Sequence, residues 1–407
     1  MTDRRGPFGL HRTVLLLAGI HFLVDGYGNI LTPLLPLIIA QLNLSLAGAG
    51  ALQMCFQLAN SVTQLGFGHL ADRWRPRLLL LIGPLVGVSM LPLIGLAPNV
   101  WVLGLMLVAG GLGGAAFHPP AAAVVHRYSG PQRGLSMSFH ITSGSLGQAL
   151  APLVFAPFVQ AYGLGATPWL MIPALLLLGG ILLPRVPSFE RLHDRTDAEG
   201  LRALRPYAAP LTLLYLIVVL RTLAATSFAT FVPIMLTRRG LSIAEAGTAA
   251  SIYLVAIGAG GFIGGPLADR FGARLVIVLS LLAAVPFLAI APFLHGWLFI
   301  AALAAGGFLL QSTLPVNVTF GQMIAPISAA TVSSLMMGFA WGTGGLVVPL
   351  VGMAADRIGI ERTLFIMAFS PVLAAALALP LPSARPHAAP RASDVATPES
   401  AGTDVAE

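Results

Sequence analysis

The stretch Gly68-His69-Leu70-Ala71-Asp72-Arg73-Trp74-Arg75-Pro76-Arg77 returns later as Gly265-Pro266-Leu267-Ala268-Asp269-Arg270-Phe271-Gly272-Ala273-Arg274. Asp269 follows Asp72 by 197 positions, and the same offset relates Pro233 to Pro36 and Pro349 to Pro152. Three separate landmarks therefore describe one unit written twice. A charged loop at the same place in each copy of a strongly apolar chain points to a transporter built from two membrane repeats.

The 407 residues are 57% hydrophobic and only 9% charged, with a mean hydropathy of +0.87. An ordinary soluble domain carries roughly 25% charged residues. So little charge cannot cover a globule of this size with a solvated surface, so the expected solvent is lipid. Apolar runs recur at the length, roughly 20 residues, that crosses about 30 Å of hydrocarbon as a helix. They are too long for barrel strands, and lipid excludes exposed loops, so the expected fold class is an all-α membrane protein. Candidate spans are 13–39, 46–69, 78–97, 100–125, 134–162, 167–184, 208–236, 243–268, 275–294, 296–318, 330–355 and 362–382, about 12 transmembrane helices in two six-helix repeats.

The expected organisation is an N-terminal half over 1–184, a polar cytoplasmic linker over 185–209, a C-terminal half over 210–382 and a tail over 383–407. That tail is rich in Ala, Pro, Ser and acid and has little to bury, so it is expected to be disordered. The first apolar run follows Arg4, Arg5 and Arg12, lacks a small-residue cleavage site and is too long for a signal-peptide core. It reads as the first membrane helix. With the N-terminus cytoplasmic, the loops place 17 arginines inside and 4 outside, with Arg221 left within a helix. That asymmetry puts both termini in the cytoplasm and the chain in a bacterial inner membrane. The net charge of +7, carried by arginine with no lysine, serves topology rather than nucleic-acid binding. The lone Cys55 excludes an intrachain disulfide or a cysteine metal cluster.

Two six-helix halves with Gly-x-Leu-Ala-Asp-Arg-x-x-x-Arg loops after the second and eighth helices resemble the major facilitator superfamily. The resemblance implies that fold and alternating access, in which the halves rock about a central site. Gly68 and Gly265 permit close helix contact. Asp72 and Asp269 are suited to cap a neighbouring helix and pair with arginine, locking the cytoplasmic face. Arg73, Arg77, Arg270 and Arg274 hold each loop inside. The first copy departs from the family pattern with Trp74-Arg75-Pro76 where glycine is usual. Two segments resemble, more narrowly, the fosmidomycin resistance protein group: His21-Phe22-Leu23-Val24-Asp25 with Pro33-Leu34-Leu35-Pro36, and Phe117-His118-Pro119 with Arg133-Gly134-Leu135-Ser136 and Gly144-Ser145-Leu146-Gly147. That group usually carries Glu after His-Pro, where this chain has Pro120, which weakens a drug-efflux assignment.

Asp25 is the acid that sits well inside an apolar helix, where a charge costs at least about 2.5–3.5 kcal/mol. A carboxyl in an apolar pocket holds its proton more readily than in water, which suits reversible protonation. His21, four residues earlier, shares its helix face and is suited to relay that proton. Arg221 occupies the repeat position of Val24, beside Asp25. The resemblance implies that helices 1 and 7 face the cavity, where Arg221 either pairs with Asp25 or holds an anionic substrate group. His118 and His140 are further candidates. Gln53, Gln57, Gln148, Gln311 and Asn317 are possible cavity donors, and Tyr27 and Phe139 possible lining. Helix 5, Gly144-x-x-Gly147-x-x-x-x-Pro152, loosely resembles the antiporter signature of the superfamily, with Ala151 where glycine precedes the proline. The arginine that many proton-driven members carry early in helix 4 is absent from Val102–Gly111.

No Walker loop implicates ATP, and no paired Cys, His-x-x-x-His or clustered carboxylates suggest a metal. No enzyme constellation and no cofactor is expected. Asp356-Arg357-x-Gly359, on the outer side, reads as a helix end with a pair. The leading expectation is a monomeric, proton-coupled antiporter that expels a small amphipathic or anionic compound such as a drug. Its partners are that small molecule, protons and the lipid bilayer, with no nucleic acid. The alternatives are an uptake symporter or uniporter for an organic acid or other metabolite, and a transport-inactive sensor or scaffold.

Overall fold

The computed structural model describes residues 9–73, 76–130, 132–187, 200–325, 332 and 335–382. Among them there is no strand. Ten helical stretches are long and apolar enough to cross a membrane: α1 (Arg12–Leu42), α3 (Pro76–Leu96), α4 (Val100–Tyr128), α6 (Leu164–Arg185), α7 (Leu204–Arg238), α8 (Ile243–Phe271), α9 (Ala273–Phe293), α10 (Gly296–Ile324), α11 (Leu335–Ile358) and α12 (Ile360–Ala378). Two more polar helical stretches stand where the remaining spans were expected, α2 over 46–73 and α5 over Arg133–Tyr162. Residues 188–199 of the linker and the tail after 382 lie outside the described residues.

The helices begin where the sequence supplies caps. Asn99 accepts from the amides of Trp101 (3.1 Å) and Val102 (3.0 Å) to start α4. Ser242 and Glu245 form a reciprocal capping box at the start of α8. Trp101, Trp169 and Trp297 lie near the first turns of α4, α6 and α10, and they are exposed at 81%, 67% and 75%. Indole rings on the rim of an apolar bundle favour the headgroup level of a bilayer. All three mark one end of the molecule, the end that also carries the turns at Gly163 and Gly359.

Helix contacts rely on small residues, because lipid gives no hydrophobic drive between apolar faces. Gly147 of α5 lies on the backbone of α1 at Phe22 and Gly26. At the tryptophan-bearing end, Gly352 of α11 abuts the Leu46 backbone of α2, and Gly247 of α8 abuts Pro152 of α5. At the same end, two polar contacts join the first six helices to the last six among the described residues. The Asp356 carboxylate accepts from the amides of Leu46 (2.9 Å) and Ala47 (3.0 Å), across 310 residues of sequence. The Gln160 side-chain oxygen accepts from the Ala244 amide at 2.8 Å. Asp356 is therefore a cap for another helix and not the helix-end pair expected from its neighbour Arg357, because the N-terminal turn of α2 offers it unsatisfied N–H groups. Toward the opposite end a cavity of about 560 Å³ opens between α7 and α11, lined by Leu204, Arg205, Leu211, Tyr215, Leu335 and Phe339 among others.

Candidate functional site

Asp25 lies on the first segment of α1, Arg12–Gly28, before the chain breaks at Asn29 and resumes at Leu31. One helical turn brings His21 beneath it, with Nε2 3.3 Å from Asp25 Oδ2. His118 of α4 reaches the other carboxylate oxygen, Nε2 to Oδ1 at 3.4 Å. Gln148 of α5 donates to Oδ2 from Nε2 at 3.0 Å, and its own carbonyl accepts from Asn29 Nδ2 at 2.9 Å. The carboxylate therefore sits among imidazoles and an amide. The apolar pocket expected from the hydropathy of the first helix is absent, because α4 and α5 bring their polar residues to this point.

His140 completes the cluster through its backbone. His21 Nδ1 lies 2.8 Å from the His140 carbonyl oxygen. The two rings stack at 4.3 Å between centroids, Phe117 stands at 5.8 Å from the His21 ring, and His140 Nδ1 has no partner. A carbonyl only accepts, so His21 Nδ1 carries a hydrogen. If His21 were neutral, Nε2 would present a lone pair to the carboxylate oxygen, two acceptors at 3.3 Å. The contact is favourable only when a proton lies between them, on the imidazole or on the carboxyl. The ligand atoms of His21, Asp25 and His118 also fall within 4.8 Å of one another, a spacing a metal ion can bridge. The direct nitrogen–oxygen contacts join the same three groups without one.

Gly144 sets how closely α5 approaches. A Cβ at this position would stand 2.7 Å from Asp25 Oδ2 and equally near the His21 ring. The glycine in the helix-5 pattern is thus a wall of the site.

Arg221 does not pair with Asp25. It is fully buried in α7, donating from Nη1 to Gln311 Oε1 of α10 and from Nη2 to Thr222 Oγ1 at 3.1 Å. Its guanidinium carbon lies 5.7 Å from the centre of the Trp341 ring of α11. Of the two alternatives, the pairing with Asp25 is absent because Asp25 is engaged by α4 and α5, while Arg221 faces α10 and α11. Trp341 was not singled out in the sequence, where nothing distinguishes it from a packing aromatic.

The duplicated loops are only partly described. The side chains of Asp72 and Arg73 lie outside the described residues. Gly68 faces Pro119 of α4 across ordinary van der Waals distance, and the Arg77 Nε is buried without a partner. Asp269 and Arg270 are exposed, with Arg270 over the Phe271 ring at 5.1 Å. Arg274 donates to the Leu379 and Leu381 carbonyls at 3.3 and 3.2 Å, and Gly265 faces open space. Among the described residues Asp269 caps no helix in this conformation. Of the other cavity candidates, Gln148 and Gln311 serve the two clusters. Tyr27 donates to the Leu170 carbonyl as packing. Both amide atoms of Asn317 are buried without partners.

Comparison with known proteins agrees with this architecture. The sequence profile of the Major Facilitator Superfamily matches residues 17–215 and again 214–400. The chain is 29% identical to the fosmidomycin resistance protein of Escherichia coli (strain K12), covering 91% of this chain and 92% of that protein. It is 30% identical to the uncharacterized MFS-type transporter YfnC of Bacillus subtilis (strain 168), covering 91% and 93%. A solved bacterial homologue of the human lysosomal transporter Spinster superposes with a TM-score of 0.72 over 90% of this chain and 95% of that one, at 20% identity, a likeness of fold.

Proposed function

The chain belongs to the major facilitator superfamily and is a membrane-spanning transporter rather than an enzyme, and from that premise we propose that it is a proton-coupled antiporter expelling a small amphipathic or anionic compound. The observation that carries the coupling is the His21–Asp25 contact. With Nδ1 committed to the His140 carbonyl, the contact is favourable only with one proton held between imidazole and carboxyl. His118 and Gln148 support the carboxylate when that proton leaves. His140 is the other titratable group facing His21, from α5. The efflux direction rests on the likeness to the fosmidomycin resistance protein. An inner-membrane location with both termini cytoplasmic follows from the arginine asymmetry of 17 to 4. The tryptophan-bearing end would then face outward, and the cavity between α7 and α11 inward. The linker at 185–209 would join two six-helix halves acting as a monomer.

The test uses proteoliposomes with a trapped pH dye and an imposed potential, worth about 2.3 kcal/mol per charge at 100 mV. Pools of anionic antibiotics, phosphonates and organic acids are screened for substrate-evoked proton movement in wild type and Asp25→Asn. The expected result is proton flux opposite to one compound, unchanged by a metal chelator and lost in the folded mutant. Flux that survives Asp25→Asn removes the proton site. Flux that stops with the chelator assigns the three groups to a metal instead.

A further inference from the structure

The cluster around Arg221 has a deficit opposite to that around Asp25. Its positive charge is fully buried, and among the described residues no carboxylate pairs with it. The groups that touch it are neutral: Gln311, Thr222 and the Trp341 ring. Tyr253 of α8 is nearby, but its hydroxyl is directed to the Ala225 carbonyl at 3.4 Å. A lone buried cation is expensive unless something neutralises it. The unmet hydrogen-bonding capacity is also one-sided. Arg221 Nε and Trp341 Nε1 are both buried without an acceptor, and neither group can accept. What the cluster lacks is an anion with acceptor oxygens.

Given the transport reading above, on which this rests, we infer that Arg221 is the anchor for the cargo's anionic head, an oxyanion such as a carboxylate or phosphonate, with a flat apolar portion lying against Trp341. One guanidinium offers one compensating charge, so the head carries a single negative charge. Its planar fork suits two oxygens of one oxyanion. The indole offers an apolar face and an edge N–H for the rest of the ligand. The cavity between α7 and α11 is formed by the two helices that carry Arg221 and Trp341. Tyr215 and Phe339 line it, and they precede Arg221 and Trp341 on the same two helices. Arg205, exposed on the same cavity, adds an attractive field for anions. The Tyr215–Thr343 hydroxyl bond (2.6 Å) joins α7 to α11 beyond the cavity. Leu335–Phe339, whose first and last residues line the cavity, is a π-helical turn, a local departure from the regular ladder. The arrangement separates two tasks: the proton is held on α1, α4 and α5, the anion on α7, α10 and α11.

The test is binding to the purified full chain in detergent at fixed pH with no gradient. Radiolabelled benzoate is bound by immobilised protein, with phenylphosphonate, benzyl alcohol and benzylamine as competitors. Saturable benzoate binding is expected, displaced by phenylphosphonate and not by the neutral or cationic analogue. Arg221→Gln is expected to weaken it at least roughly tenfold, and Trp341→Ala roughly threefold or more. Gly104→Ala, on α4 in open space, should leave binding intact. The comparison of probe charge on wild type needs no variant to fold. Binding of neither oxyanion, equal competition by benzyl alcohol, or wild-type affinity in folded Arg221→Gln overturns the inference. Because no proton gradient is present, failure of proton coupling in proteoliposomes leaves this result standing, and the converse also holds.

Discussion

At the scale of single residues, the two imidazoles on either side of His21 do different work. His118 meets Asp25 with its ring at 3.4 Å. His140 meets His21 with its main-chain oxygen and leaves its own Nδ1 unused. A carbonyl survives substitution of its side chain. His140→Phe is therefore expected to keep substrate-evoked proton flux within roughly threefold of wild type, while His21→Gln abolishes it. Proteoliposome flux with the trapped dye checks both. Loss of coupling in His140→Phe, with a normal melting temperature, would place the His140 ring in the proton path. The sequence made the His21–Asp25 contact legible because a spacing of four puts both on one helix face. It left the roles of Gln148 and the His140 carbonyl hidden, since these depend on how α5 is rotated against α1. Trp341 was hidden for the same reason: an aromatic on an apolar helix acquires a role only from the Arg221 that packs on it.

At the scale of elements, ten of the twelve expected spans were legible from run length as helices long and apolar enough to cross, because the thickness of hydrocarbon dictates that length. Interruptions were not. α1 breaks at Asn29, and α2 carries a π-helical turn at Leu58–Val62 that contains no proline. Such breaks come from tertiary contacts that a hydropathy profile does not contain. The glycine pattern of α5 was visible, but not that Gly144 abuts the proton pair. Gly144→Ala puts a methyl group 2.7 Å from Asp25 Oδ2 and against the His21 ring, so the His21–Asp25 pair must shift or α1 and α5 separate. Overpacking of this kind costs about 1–3 kcal/mol. The expected outcome is a lowered melting temperature in detergent together with loss of proton-coupled flux. Gly104→Ala, on α4 in open space, is the control and should change neither. An unchanged flux in Gly144→Ala would mean that the α1–α5 contact does not set the carboxylate's position.

At the scale of the whole molecule, the end closed in this conformation is held by few polar contacts. Small residues let α2 and α11 touch, and the Asp356 carboxylate fixes that contact by capping the first turn of α2. A carboxylate at a helix N-terminus meets both free N–H groups and the positive end of the helix dipole. Alternating access requires this end to part, so the cap must be a contact that breaks and remakes in each cycle. Loss of an N-cap costs about 0.5–2 kcal/mol, which corresponds to roughly a 2–30-fold change in an opening equilibrium. Asp356→Ala is therefore expected to raise hydrogen exchange at the Leu46 and Ala47 amides by that factor. Exchange at Val102, capped by Asn99 on the same end, should stay constant. The variant should also shift the resting population toward the conformation open at the tryptophan-bearing end, raising labelling of probes placed there. If exchange rises equally at Val102, the substitution has loosened the fold generally. If the Leu46 and Ala47 amides are unchanged, closure rests on the apolar α2–α11 contact alone, and Asp356 is not the latch.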